Sequence, residues 1–274
     1  MDQFIEVDHY RFRYDAKGRS DHPAILFLHG FLGNCYEFDQ VMSLLADQFY
    51  CLAVDLPGHG KTQTLDADRG YSMPHTAQGL IQFIEVLNIQ PCFLVGYSMG
   101  GRVSLYLTLH FPTYFLKVVL ESASPGLKTQ AEQSKRMQRD LKLAHQLETE
   151  DFSSFLAQWY TQPLFASLRS HPNFEQILKQ RLDNDPWQLA KSLRHLGTGY
   201  QASLWEACQH TTVCTLLLVG ELDEKFVQTN AEMARLSRCM TLRIVEQCGH
   251  NIHFEKTSVF SQYVQRFLEQ DAVQ

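Results

Sequence analysis

Three short stretches of the 274-residue chain hold residue types that could act together on a substrate. Gly96-Tyr97-Ser98-Met99-Gly100 is a serine flanked by glycines, the G-x-S-x-G pattern of a nucleophile on a sharp strand-to-helix turn. Small residues at both ends let neighbouring backbone approach, and the helix that follows offers free N–H groups and a positive dipole end. A serine hydroxyl is too weak an acid to react unaided at neutral pH. It needs a histidine base, and the histidine needs a carboxylate to fix its tautomer. Gly220-Glu221-Leu222-Asp223 and Cys248-Gly249-His250 can supply them. Glu221 and His253 are the competing choices. The glycine before His250 and its nearness to a strand end favour His250, while a carboxylate at Glu221 could simply be solvated, which favours Asp223. Arg102 lies four residues after Ser98, on the same face of the same helix. The rest of that helix is apolar at Val103, Leu105, Leu107 and Leu109. An arginine there is costly unless it meets an anion: a nearby carboxylate of the chain, or a substrate carboxylate gripped by the guanidinium fork.

The elements around these residues place them at one edge of a sheet. Apolar runs at 24–28, 50–54 and 92–95 read as strands covered on both faces, and 116–120, 215–219 and 241–245 as further strands. Residues 4–14 read as a half-buried strand followed by a turn at Lys17-Gly18. Helices are expected at 36–48, 73–87, 98–110, 228–236 and 258–269. Strand, loop, helix, repeated, gives a parallel sheet wrapped by helices. An acid after one late strand and a histidine after the next, both following the serine in the chain, is the order of the α/β-hydrolase fold. The fold class expected is therefore α/β: an α/β-hydrolase fold with a mostly parallel central sheet flanked by helices and a helical lid inserted. The core would span 1–124 and 208–274. The lid, at 125–207, would carry helices at 130–148, 151–159, 173–181 and 186–196 and sit over the C-terminal strand ends, where ligands bind in such sheets. In this fold the loop His29-Gly30-Phe31 is expected to donate one N–H to an oxyanion hole and the residue after the serine the other, so the donors would be Phe31 and Met99. His29 and His59 fall in the two early loops and are expected to shape them by hydrogen bonding.

Composition narrows the partners. Lys and Arg number 24 against 30 Asp and Glu, a formal charge of −6, and no basic run occurs, which argues against nucleic acid. With 45% hydrophobic residues the chain can build a sizeable core. No apolar run of about 18 residues suggests a membrane span, and the N-terminus has no basic and apolar leader pattern. Seven scattered cysteines, an odd number without a C-x-x-C pair, read as reduced, mostly buried residues of a cytoplasmic protein, with no metal site. No cofactor is expected.

The motifs together resemble one family. Gly96-Tyr-Ser-Met-Gly-Gly-Arg-Val103, Gly220-Glu-Leu-Asp-Glu-Lys-Phe226 and Gly249-His-Asn-Ile-His253 are similar to those of the 2-succinyl-6-hydroxy-2,4-cyclohexadiene-1-carboxylate synthases, enzymes of menaquinone and phylloquinone biosynthesis. Trp159-Tyr-Thr-Gln-Pro-Leu-Phe-Ala-Ser-Leu168 resembles that family's lid signature. The resemblance spans Gly30 to His253, nearly the whole chain. It implies a lyase that removes a proton and expels pyruvate from a small polycarboxylate, with Ser98 as base, His250 and Asp223 behind it, and Phe31 and Met99 amides on the oxyanion. It also implies substrate-binding roles for Arg102, Arg136 (with Asp140), Arg181, Trp159 and Tyr97. Without the resemblance, Arg136 would be read as part of a solvated helix face with Glu132, Lys135, Arg139 and Asp140.

Two other classes compete. A serine hydrolase of esters or carbon–carbon bonds would use the same triad through an acyl-enzyme or a hydrated intermediate. A receptor on this fold would bind without turnover. A haloalkane dehalogenase would need aspartate where Ser98 stands. The expected assembly is a monomer or small homo-oligomer acting on a small molecule.

Overall fold

The computed structural model describes residues 2–66 and 68–270; Met1, Ala67 and 271–274, which fall in the expected core segments, lie outside them. Strand β1 (Gln3–Val7) and strand β2 (Tyr10–Lys17) form an antiparallel hairpin. The single strand expected over 4–14 is therefore two. The chain reverses at Asp8, which takes a φ of 48°, a left-handed conformation that aspartate tolerates better than most residues. Then follow β3 (Ala24–Leu28), α1 (Asp39–Leu45), β4 (Tyr50–Val54), the two-residue β5 (Gln63–Thr64) and α2 (Met73–Val86). Next come β6 (Cys92–Tyr97), α3 (Met99–His110) and β7 (Phe115–Glu121). Five helices lie between β7 and the next strand: α4 (Gln130–Thr149), α5 (Phe152–Trp159), α6 (Ala166–Arg169), α7 (Phe174–Arg181) and α8 (Pro186–Leu196). The chain closes with β8 (Cys214–Gly220), α9 (Glu224–Leu236), β9 (Met240–Val245), α10 (Ile252–Glu255) and α11 (Thr257–Glu269).

The sheet runs β1-β2-β4-β3-β6-β7-β8-β9, with β5 paired to β2. Only the β1, β2 and β5 pairings are antiparallel; from β4 to β9 neighbours run parallel. This is the α/β-hydrolase fold expected. Side chains alternate across the sheet. Leu26 and Leu28 of β3 face a core with Leu80, Phe83 and Ile84 of α2 and Val103, Leu105 and Leu107 of α3. Ile25 and Phe27 face the other core, against Val41 and Met42 of α1 and Phe260 and Val264 of α11. A third apolar cluster belongs to the five inserted helices: Leu147, Phe155, Leu168, Ile177 and Leu193 among others, closed from below by Leu32. The long α4 is rich in strong helix formers, buries only Asp140, Ala144 and Leu147, and opens on a capping box between Thr129 and Glu132. All seven cysteines are free and five are buried. Among the described residues no helix is long and apolar enough to cross a membrane.

Candidate active site

Ser98 stands between β6 and α3 with φ 50° and ψ −104°, a conformation that a non-glycine side chain strains to hold. Its neighbours explain why the turn cannot relax. A Cβ on Gly96 would overlap the Ser104 hydroxyl and the Gly100 carbonyl, and one on Gly100 would overlap the Leu28 and His29 carbonyls. The Ser98 N–H donates to the Glu121 carbonyl at 2.9 Å and the Gly100 N–H to the His29 carbonyl at 3.0 Å. The strain is a stability cost accepted for the position of one hydroxyl. Ser98→Gly should therefore raise the folded state's stability by about 1 kcal/mol, the relieved strain less glycine's backbone entropy. Thermal denaturation should show a Tm a few degrees above wild type; an unchanged or lower Tm would mean the turn is not strained.

The other two members converge on it. His250 Nε2 lies 3.0 Å from Ser98 Oγ, and His250 Nδ1 lies 2.6 Å from Asp223 Oδ2. Asp223 accepting from Nδ1–H leaves Nε2 free to accept from the serine. Both side chains are nearly excluded from water. Asp223 occupies the N-cap of α9 yet makes no capping bond, because its carboxylate is turned to the histidine. The competing residues go elsewhere. Glu221 accepts the Gln247 N–H at 2.9 Å, and His253 Nδ1 meets Glu121 Oε2 at 2.7 Å. Rings of Tyr97, Phe226 and Phe165 surround His250, with centroids at 5.4, 4.7 and 6.1 Å.

Phe31 and Met99 line the same cavity, and among the described residues neither N–H has a hydrogen-bond acceptor. His29 and His59 lie with ring centroids 5.1 Å apart, tilted at 58°, in the adjoining loops. His29 Nε2 accepts the Leu56 N–H and its Nδ1 meets the Gly30 carbonyl, the shaping role expected of it. Burial holds both rings below the ordinary histidine range.

The cavity holds about 580 Å³ and is bounded by residues of every helix from α3 to α9. Its electrostatics oppose the chain's overall sign. Arg102, Lys128, Arg136, Arg139, Arg181 and Lys225 line it against only Glu132 and Glu232. Glu232 is paired with Lys128, and Glu132 is spent on capping α4. Arg102 is buried, with Nη1 on Gln201 Oε1 at 2.7 Å and Nη2 on the Leu196 carbonyl at 2.9 Å. Both acceptors are neutral. Burial and the Arg136 charge bring Arg102 down to about 10, with Asp140 pushing back, so it remains a cation at neutral pH. Arg136 is half-buried and pairs with Asp140 at 2.7 Å, the i,i+4 contact read in the sequence. Arg181 is buried at the end of α7, paired with Glu37 and donating from Nε to the Tyr160 hydroxyl at 3.2 Å. Burial pulls Arg181 down, but Glu37 and Tyr160 outweigh it. Trp159 forms a wall, its ring 5.2 Å from Phe31. Tyr97 is buried beneath the serine; burial and the Glu37 and Glu121 charges hold its hydroxyl well above the ordinary tyrosine range.

Several residues here escape sequence reasoning. Lys225, which burial and Arg136 pull down and Asp223 pushes up, and Arg139, whose Nη2 meets Gln162 Oε1 at 2.5 Å, add cations at the cavity wall. Glu121 is fully buried at the end of β7. Its Oε1 accepts the N–H groups of Ile252 and His253 at 2.5 and 3.0 Å, fixing the loop that carries His250. Glu121 ends a strand that is apolar but for Lys117, which marks it only weakly in the sequence, and Lys225 lies within the segment 220–226.

Residues 23–257 match the family model described as alpha/beta hydrolase fold. A Bacillus subtilis protein named as a putative 2-succinyl-6-hydroxy-2,4-cyclohexadiene-1-carboxylate synthase is 34% identical over 95% of this chain and 96% of its own. The Serratia proteamaculans synthase of the same name is 32% identical over 92% of this chain and 95% of its own. Among solved structures, MenH from S. aureus superposes with a TM-score of 0.89 at 33% identity, covering 96% of this chain and 98% of that one.

Proposed function

The chain belongs to the 2-succinyl-6-hydroxy-2,4-cyclohexadiene-1-carboxylate synthase family of the alpha/beta hydrolase fold, and we propose that it carries out the elimination that makes that product. The substrate would be 2-succinyl-5-enolpyruvyl-6-hydroxy-3-cyclohexene-1-carboxylate, the second product pyruvate, and the setting menaquinone or phylloquinone biosynthesis in the cytoplasm. The observation that carries this reading is Arg102: a buried guanidinium satisfied only by an amide and a carbonyl oxygen, in the cavity that holds Ser98. A hydrolase of neutral esters has no use for such a charge. A polycarboxylate repays its burial.

The chemistry then follows from the triad. Asp223 orients His250 so that Nε2 takes the Ser98 proton as Ser98 Oγ takes the ring proton. The electron pair left on carbon spreads onto the succinyl ketone, whose oxygen is met by the Phe31 and Met99 N–H groups. When the charge returns, the C2=C3 double bond forms, the C3=C4 bond shifts to C4=C5, and the C5–O bond to the enolpyruvyl group breaks. The departing enolate takes the proton from His250 and becomes pyruvate. Serine ends as it began, and no acyl-enzyme forms. Arg102 and Arg136 take substrate carboxylates, Tyr97 and Trp159 form the walls, and Arg181 bounds the site from α7. Residues 125–207 act as a lid that excludes water while charge develops.

A pyruvate-release assay beside turnover of a simple ester, p-nitrophenyl butyrate, tests the reading. Catalytic efficiency on the enolpyruvyl substrate should far exceed that on the ester. Efficient ester turnover with no pyruvate released would instead make the protein a serine hydrolase.

A further inference from the structure

Glu37 is the residue that joins the inserted helices to the loop bearing Phe31. It lies in the short helical turn Cys35–Phe38, and its carboxylate is almost wholly excluded from water. Oε2 accepts the Gly30 N–H at 3.1 Å, and Oε1 pairs with Arg181 Nη2. The peptide unit between Gly30 and Phe31 carries the N–H assigned to the oxyanion. Its carbonyl is held by the Gly33 N–H at 2.9 Å and faces His29 Nδ1 at 2.8 Å. The other side of Phe31 is held by the same helix end: Asn184, three residues past Arg181, donates to the Leu32 carbonyl at 2.9 Å. Leu32 itself sits at φ 69°, so the loop has no relaxed alternative close by. Arg181 thus reaches the loop through Glu37, and Asn184 reaches it directly. Besides Arg181, the nearest basic atom recorded for Glu37 is His253 Nε2, at 3.9 Å.

We propose that Glu37 and Arg181 form a positioning pair that sets the oxyanion-hole loop, so that Arg181 serves the reaction chiefly through Glu37 and not as a grip on substrate. This rests on the reading above in one respect, that the Phe31 N–H meets a developing oxyanion. With the pair intact, docking of α7 and alignment of the Phe31 N–H are one event. With the pair broken, the N–H drifts from the position the oxyanion needs while the carboxylate-binding wall, on α3 and α4, stays in place. The signature is a loss in kcat with little change in affinity.

Three variants test it: Glu37→Gln, Arg181→Met and the double variant, in which both charges go together and the fold is spared a lone buried ion. Each is assayed for pyruvate release and for binding of the product, 2-succinyl-6-hydroxy-2,4-cyclohexadiene-1-carboxylate, by calorimetry. The expected result is a kcat lowered about 10- to 100-fold in all three, with the double variant no worse than the poorer single and product Kd within about 3-fold of wild type. A double variant with wild-type kcat would overturn the proposal. So would Arg181→Met weakening product binding tenfold or more while Glu37→Gln leaves it unchanged, since Arg181 would then be a ligand. If the wild-type protein releases no pyruvate but cleaves esters, it is the elimination reading that has failed; the same oxyanion hole serves ester cleavage, and the kcat losses are then read on p-nitrophenyl butyrate.

Discussion

Ser98→Ala should lower pyruvate release by about 10²- to 10⁴-fold while product still binds within a few-fold of wild type. The size follows from what is removed. His250 Nε2 stands 3.0 Å behind Ser98 Oγ, so alanine leaves the imidazole one atom short of the substrate, with the proton path interrupted. Nothing in the affinity depends on that oxygen, because the cavity's cations lie on other walls. His250→Ala should cost as much, and the Ser98→Ala/His250→Ala pair little more than either alone, since the two move one proton as a unit. Retained turnover in Ser98→Ala would remove the serine from the mechanism and leave His250 as the base. Loss of product binding in parallel with turnover would mean that the substitution had disturbed the cavity and not the chemistry.

The convergence of Ser98, Asp223 and His250 was legible in the sequence. Ser98, Asp223 and His250 each follow an apolar run, and three strands of one parallel sheet deliver their loops to one edge; the sequence order and the strand pattern suffice to bring them together. Four of the five inserted helices, all but the one-turn α6, were equally readable, and α4 and α8 begin at clear caps, Thr129 and Asp185. What could not be read is the network beneath the site. Glu121 is 131 residues from Ile252, and Glu37 is 144 from Arg181. A buried carboxylate looks like a surface one in sequence until its partner is in place, since neither has a local period or motif. The partners of Arg102 were missed for the same reason. A carboxylate of the chain was one expected partner and a substrate carboxylate the other; within the chain the structure supplies instead Gln201 and the Leu196 carbonyl, both more than ninety residues away. The hairpin at Asp8 was missed differently: two strands in register with one apolar alternation read as one until the left-handed residue between them is seen.

Arg102→Ala should lower kcat/KM about 10- to 150-fold, the effect of losing one charge-assisted contact of about 1.5–3 kcal/mol, and should weaken product binding in step. It should also lower Tm, for a second reason. The guanidinium ties α3 to the end of α8, and its removal leaves the Gln201 side chain and the Leu196 carbonyl buried without a donor, at about 1–3 kcal/mol each. The two effects separate in Arg102→Lys. A lysine keeps the charge near the cavity, but one ammonium cannot make the planar, forked contacts that satisfy two acceptors and still face a carboxylate. Lysine should therefore recover part of the affinity and little of the Tm. If both variants lose stability and neither changes kcat/KM, Arg102 is only a tie between helices, and the case for an anionic substrate loses its main support. If affinity falls with the charge, the neutral partners acquire a meaning. A carboxylate in their place would have cancelled the cation, whereas an amide and a carbonyl hold it still and leave its charge for the ligand.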